Sequence, residues 1–404
     1  MTTRWALEQQ TELRIEVPWD SELRLQLVSG AAEIFGYDLP PARWLVFPPA
    51  HKFAVFSWTG ATIEVDGSTD SIYTENETPM QSYLDVHHLL ENKRDQAAKG
   101  ASSFGPRVIV VGPTDSGKSS LSKMLLGWTS KQGRKPLFVD LDLGQNALTI
   151  PGTISAIFVD EPVDPVNGFP LEAPLVYFYG HTSPKGNPDL YKSLMTELAH
   201  SSVSQLKRHP EKQSAGMIIN TMGWVNDLGY KLLLDAIDSF NADVILVLGQ
   251  KELHKNLLSE FEGRLSMDII YICKSEGVVT RDQKLRQWTR NSKMKEYFYG
   301  VSSTLLPQQN SIRFSDIHIF QFGSCVGVDP MHLSPVKISQ DLVYSVLAVS
   351  YAKEPRQLLS SILAGFIYII EVDFTSKRLW YVAPCPGRLP NNLLLKGSLL
   401  WSDQ

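Results

Sequence analysis

The stretch VVGPTDSGKSS, residues 110–120, puts two glycines, a lysine and a serine at the spacing G-x-x-x-x-G-K-[ST]. Glycines there let successive backbone N–H groups close around phosphate oxygens, and the helix that follows adds the partial positive charge of its N-terminus. Lys118 can reach a β- or γ-phosphate, and the Ser119 hydroxyl can ligate Mg²⁺. Gly112, Pro113, Thr114, Asp115, Ser116, Gly117, Lys118, Ser119 and Ser120 are therefore the candidate lining of a nucleoside triphosphate site. An unliganded glycine-rich turn is the alternative, and the flanks argue against it. RVIVV reads as a strand running into the loop, and Leu121, Met124, Leu125 and Trp128 form one apolar stripe of a helix that begins at Lys118. No Asn-Lys-x-Asp guanine reader follows later in the chain, and its nearest counterpart, CKSEG, lacks the aspartate.

A phosphate loop does not name an acceptor, so the groups able to face a transferring phosphoryl matter next. PLFVDLDLGQ brings Asp142 to the C-terminal end of a strand, where parallel sheets place their ligands. A carboxylate there can accept a proton or hold Mg²⁺, Asp140 competes from the same strand face, and a helix cap is the structural alternative. RDQKLRQWTR supplies Arg281, Arg286 and Arg290, either a solvated helix face or a mobile segment closing on a γ-phosphate. Trp224, after the strand in INTMGW, is either core packing or a platform for a base. The polar loop YGHTSPKGNPDLY offers Thr182, Ser183 and Lys185 to a ligand, whereas His181 has no visible nucleophile to serve and reads as structural.

These groups need a scaffold that the hydrophobic pattern supplies. The first 75 or so residues alternate apolar and polar in ELRIEV, ELRLQLV, KFAVFSW and ATIEVDG, which predicts a small antiparallel β-sandwich or barrel. A helical connector follows, with Thr78 as cap, Pro79 in first position and Gln81 completing a capping box, and its end, KGASSFGPR, predicts a hinge. From Arg107 the candidates RVIVV, PLFVDLD, GMIIN, ADVILVLG and DIIYIC alternate with helical periods, predicting a parallel sheet covered on both faces. Strand patterns return in SDIHIFQFG and in the hairpin GFIYIIEVDFTSKRLWYVAPC. The expectation is an α/β chain of three parts: 1–98, an N-terminal β domain with its connecting helix; 99–302, a P-loop domain built on the parallel sheet; and 303–404, a smaller β-rich domain.

At 404 residues and a net charge of −5 the chain cannot coat nucleic acid along its length, because counterion release needs clustered Lys and Arg. Three scattered cysteines without metal-ligand spacing fit a reducing compartment. The N-terminus has no apolar signal core and no apolar run approaches the ~20 residues of a spanning helix, so a soluble intracellular protein without a membrane role is expected.

GPRVIVVGPTDSGKSSL, DLDLGQNALTIPGTISA, INTMGWVNDLGY, KSEGVVTRDQKLR and EYFYG, in that order, resemble the polynucleotide 5′-hydroxyl kinase subunit of the pre-mRNA cleavage complex, a family that also works with the tRNA-splicing endonuclease. TELRIEV, GAAEIFGYDL and PGRLP extend the resemblance toward both ends. It implies a nuclear RNA 5′-kinase that moves the γ-phosphate of ATP onto a 5′-hydroxyl with Mg²⁺, and partners in both processing complexes. It also implies roles: Lys118 and Ser119 on phosphate and metal, Asp142 on the hydroxyl, Arg281 and Arg286 in a lid, Trp224 on the terminal base, and the Thr182–Ser183 loop on the RNA backbone. Adenine lies against the N-terminal domain in that family, which points to Glu12 and Lys52. Some fungal relatives have lost catalytic positions and serve as ATP-bound scaffolds; this chain keeps the lysine, the aspartate, the tryptophan and both arginines.

Overall fold

The computed structural model describes residues 2–100, 104–170, 174–301, 304–323, 329 and 331–402. In the N-terminal part, β1 (Thr2–Leu7), β2 (Thr11–Glu16), β3 (Leu23–Gly30), β4 (Glu33–Ile34), β5 (Tyr37–Asp38), β6 (Leu45–Phe47), β7 (Lys52–Ser57), β8 (Ala61–Asp66) and β9 (Ser71–Glu75) form two sheets, ordered β1-β8-β3-β6 and β5-β4-β7-β2-β9. The alternation in LRLQLVSG does what its period of two dictates: Leu23, Leu25 and Leu27 are buried between the sheets with Leu13, Ile15, Val55 and Ile63.

Helix α1 (Met80–Ala98) follows. The expected capping box is not formed: the helix starts at Met80, and Gln81 donates to Asp85 Oδ1 at 2.9 Å one turn on, leaving a 3.4 Å bond from the Met80 N–H to Thr78 Oγ1. Nor is this helix a bare connector. Val86 and Leu90 pack with Val108, Val110 and Leu125 on one face of the central sheet, and the fully buried Arg94 donates to the Ala215 carbonyl at 2.9 Å and to Glu91 at 2.6 Å. Part of the expected hinge, 101–103, lies outside the described residues; beyond it the Gly105 N–H is bonded to the Gln213 carbonyl at 2.8 Å.

The central part contains β10 (Arg107–Val111), α2 (Lys118–Lys131), β11 (Leu137–Asp140), β12 (Thr153–Phe158), β13 (Leu175–Phe178), α3 (Pro188–Arg208), the short α4 (Pro210–Gln213), β14 (Met217–Asn220), α5 (Leu228–Ser239), β15 (Val244–Leu248), α6 (Lys251–Glu260), β16 (Asp268–Ile272) and α7 (Gln283–Tyr299). Its sheet runs β13-β12-β11-β14-β10-β15-β16. The five strands from β11 to β16 in that order are mutually parallel, with α1 and α2 on one face and α3, α5 and α6 on the other. These five are the strands that the hydrophobic pattern names, so the expected parallel sheet is formed; two further strands extend its edge, where β12 is antiparallel to both β11 and β13, because a loop without a crossover helix joins β11 to β12 and turns the chain straight back.

The C-terminal part is one seven-stranded sheet of β17 (Gln308–Arg313), β18 (His318–Phe322), β19 (Leu333–Pro335), β20 (Ser345–Ser350), β21 (Leu363–Asp373), β22 (Arg378–Ala383) and β23 (Leu393–Leu400), ordered β17-β22-β21-β20-β23-β18-β19. Helix α7 is anchored in it: Phe298 stacks on Trp401 at 5.2 Å between ring centroids and meets Tyr368 edge-on. The far end of α7 is thus fixed by aromatic packing, and its first turns project over the phosphate loop. Among the described residues no helix is long and apolar enough to cross a membrane.

Candidate active site

β10 delivers the chain into residues 112–117 and α2 takes it up at Lys118, with Gly117 as N-cap at φ 95°, a left-handed conformation that favours glycine. A Cβ on Gly112 would stand 2.7 Å from the Leu248 carbonyl and 2.9 Å from Ser116 Oγ, so the loop closes only around a glycine there. Among the described residues the buried Ser116 hydroxyl has no hydrogen-bond partner. Lys118 folds back on its own loop, donating to the carbonyls of Gly112 at 2.9 Å and Pro113 at 2.7 Å. Burial pushes its ammonium down to about 8, against the pull of Asp142 and Asp115.

A chamber of about 210 Å³ lies between this loop and the N-terminal sheet. Residues 114–120 form one wall; Glu12 and Lys52 line the opposite wall, as do Arg14, Tyr73 and Tyr83. Glu12 and Arg14 are a buried ion pair, 2.5 Å apart with 7% and 8% of their side chains exposed. Burial raises the Glu12 carboxyl despite its cation. Lys52 donates to Glu16 at 2.5 Å. Arg14 was missed in the sequence because alternation assigns a charged strand residue to solvent; here β2 is central between β7 and β9, and the residues of TELRI are buried on both faces. The segment after β16 completes the chamber, with Gly277 so close to Arg14 that a Cβ would come within 2.7 Å of its Nε.

A second, polar groove of about 300 Å³ opens beside the chamber, lined by Thr182, Ser183, Lys185, Met222, Trp224 and Arg290. The two share Thr114, Asp142, Gln145, Gly223 and Arg286. Of the two competing aspartates, only Asp142 lines them. β11 ends at Asp140, so the pair does not share a strand face, and Asp140 is fully buried, accepting from the N–H groups of Asp142 at 3.1 Å and Ala147 at 2.7 Å and from Asn220 Nδ2 at 3.1 Å. Burial, helped by the charge of Asp142, pushes its carboxyl up to about 7. Asp140 shapes the loop. Asp142 does some capping too, because its Oδ1 accepts the N–H groups of Gly144 at 2.8 Å and Gln145 at 3.1 Å, but among the described residues no protein donor takes Oδ2.

Trp224 is half-buried, packed on the central core and also facing the groove, so the two alternatives for it coexist. A Cβ on Gly229 would stand 2.5 Å from its Cγ. Ser183 caps the turn Pro184–Gly186, and His181, for which the sequence shows no nucleophile, pairs its Nδ1 with Ser398 Oγ of β23 at 2.7 Å. Arg281 and Arg286 precede and begin α7. Arg286 Nη2 donates to Asp115 Oδ2 at 2.6 Å, the Arg281 backbone N–H reaches the same oxygen at 3.0 Å, and Gln145 Nε2 holds the Arg286 carbonyl at 3.2 Å. The segment is therefore closed over the phosphate loop.

Ser119, which is exposed, and Asp142 both line the chamber, and both carry hard oxygen donors. Among the described residues no cluster of three or more His, Cys, Asp or Glu forms a metal cage. One or two protein oxygens supplemented by substrate phosphates is the donor set that suits Mg²⁺.

Comparison with known proteins gives a consistent result along the chain. Residues 6–97 match the family described as the N-terminal beta-sandwich domain of polyadenylation factor, 112–300 the mRNA cleavage and polyadenylation factor CLP1 P-loop, and 305–403 the pre-mRNA cleavage complex II protein Clp1. The protein CLP1 homolog of Arabidopsis thaliana is 51% identical, with 98% of this chain and 94% of the relative covered. The human polyribonucleotide 5′-hydroxyl-kinase Clp1 is 37% identical, over 100% of this chain and 97% of the relative. A solved complex of Clp1p with a Pcf11p segment superposes at a TM-score of 0.89 and 25% identity, covering 100% of this chain and 99% of that one.

Proposed function

The chain belongs to the Clp1 family, and from that membership we propose that it is an RNA 5′-kinase of mRNA 3′-end processing and tRNA splicing, transferring the γ-phosphate of ATP to a 5′-hydroxyl. One observation carries the reading: a chamber of about 210 Å³ beside the phosphate loop and a more open groove beside Trp224 meet at Thr114, Asp142 and Arg286. A hydrolase needs only the first; a kinase needs both, with the acceptor oxygen at their junction.

ATP lies with its base against Glu12 and Lys52 and its phosphates in the loop 112–120. Lys118 exchanges the carbonyls of Gly112 and Pro113 for phosphate oxygens, and Arg281 and Arg286 offset charge on the transferring group. The terminal nucleotide stacks on Trp224, with Thr182 and Ser183 on its backbone. Asp142 accepts the proton of the 5′-hydroxyl as its oxygen bonds to the γ-phosphorus and the bond to the β-γ bridging oxygen breaks, releasing ADP. Ser119 and, through water, Asp142 would hold Mg²⁺, which would offset charge on the phosphates. The protein works in the nucleus, assembled with cleavage-complex subunits, as its relative does with Pcf11p, and with the tRNA-splicing endonuclease.

The test is transfer from γ-labelled ATP to an RNA with a 5′-hydroxyl. Wild type labels the RNA, and Lys118→Ala lowers the rate by about 10³ or more at unchanged thermal stability. Wild type that binds ATP without turnover, indistinguishable from Lys118→Ala, would leave a nucleotide-bound scaffold as the function.

A further inference from the structure

The groove holds three basic side chains, and two are already engaged: Arg286 with Asp115 and Arg290 with Gln287 Oε1 at 2.7 Å. The third, Lys185, is exposed and meets no anion among the described residues. Its ammonium sits over the Trp224 ring, 5.2 Å from the centroid, within the range at which an aromatic face attracts a cation. It is held there by a short, stiff loop: Pro184 is buried, Ser183 caps the turn, and Asn187 caps α3 directly after it. Gly229 presses on the indole. A base that stacks on the face of Trp224 carrying the ammonium must therefore displace it.

Stacking a base on indole outweighs an exposed ammonium–indole contact, so the lysine yields. Within the RNA, the anion nearest to a stacked terminal base is the phosphate on the 3′ side of its own ribose. We propose that Lys185 is the ligand for that first phosphodiester, and that its position over Trp224 in the free protein is the resting place from which the base displaces it. The proposal deepens the RNA-kinase reading and rests on it. Base arrival and phosphate capture become one exchange, so the acceptor is recognised as a polynucleotide end and a bare nucleoside is disfavoured. The swap also keeps an indole face from standing bare in water between substrates.

Two 5′-hydroxyl RNA decamers test this, identical except that the first linkage is a phosphodiester in one and an uncharged methylphosphonate in the other. Binding is read by fluorescence anisotropy without ATP. Wild type should favour the charged linkage about tenfold. Lys185→Ala should bind both alike, with the slope of log K against log salt smaller by about 0.7, and Lys185→Arg should restore most of the preference. Full discrimination retained by Lys185→Ala, equal loss for both decamers, or no binding of either by wild type would overturn the assignment. Because binding needs no turnover, discrimination without phosphorylation would remove the kinase reading and leave Lys185 in place, whereas phosphorylation without discrimination would do the reverse.

Discussion

The chamber beside the phosphate loop and the groove beside Trp224, proposed to take donor and acceptor, share a wall, yet they are built on opposite principles. The chamber is bounded by the phosphate loop, the N-terminal sheet and the segment after β16, and several of its charged groups are committed: Glu12 to Arg14, Lys52 to Glu16, Lys118 to its own loop carbonyls. The groove is open, its walls come from loops after β11, β13 and β14 and from the first turns of α7, and Lys185 waits on a ring face. A nucleotide of fixed shape rewards a preformed site, because little ordering remains to oppose binding. An RNA end of any sequence rewards stacking and a few adjustable cations. The difference also explains the acidic net charge of −5, since grip on a chain end needs only a local basic site.

The largest expected effect is at the junction. Asp142→Asn keeps an oxygen for the Gly144 and Gln145 N–H groups, so the loop is preserved while the proposed proton acceptor is lost. The turnover rate should fall about 10³-fold, with ATP and RNA affinities changed less than about threefold. Turnover within tenfold of wild type would mean the two sites do not meet at this carboxylate.

The chamber's commitment can be probed next by Arg14→Met, which strands Glu12 in a buried position without its cation. Unfolding in urea should show a loss of about 3 kcal/mol, and adding Glu12→Gln should recover most of it. Lys185→Ala, across the shared wall, should leave the same unfolding curve unmoved. If the two substitutions had equal effects on stability, the contrast between a committed chamber and an uncommitted groove would disappear.

What the sequence displayed of all this follows the way each feature is encoded. The phosphate loop was legible because its chemistry needs contiguous residue types at fixed spacing, with strand and helix periods on either side. Asp142 and Trp224 could be placed because each follows an apolar run whose end marks a sheet edge. Arg14 and Tyr73 were invisible: they reach the chamber from different strands, and only the pairing β7-β2-β9 puts charged positions of β2 inside. Glu12 and Lys52 entered through family resemblance, with no local signal. The reversed strand β12 escaped notice because all but the last residue of TISAIF are buried, erasing the alternation that would announce it. The cation resting on Trp224 is a relation between two loops, and no spacing in the chain encodes it.

The smallest effect tests how the groove, for all its openness, is kept in register. Gly180, just before the Thr182–Ser183 loop, lies against Gly397 of β23, each so close that a Cβ on either would run into the other's backbone. The Ser398 N–H donates to the Gly180 carbonyl at 2.8 Å, and Ser398 Oγ pairs with His181. The acceptor loop is thus bolted to the C-terminal sheet, whose distance from the phosphate loop would otherwise make it irrelevant to phosphoryl transfer. Gly180 has φ 83° and needs glycine for its backbone as well, whereas Gly397 is absent from the positive-φ residues and is required only by the close approach. Gly397→Ala therefore isolates the bolt from backbone strain. The added methyl should displace the acceptor loop and raise KM for RNA about tenfold, roughly 1.4 kcal/mol, while the affinity for ATP stays at its wild-type value. Equal weakening of both substrates would instead mean that the C-terminal sheet supports the whole active site, and an unchanged KM would mean that the loop positions itself.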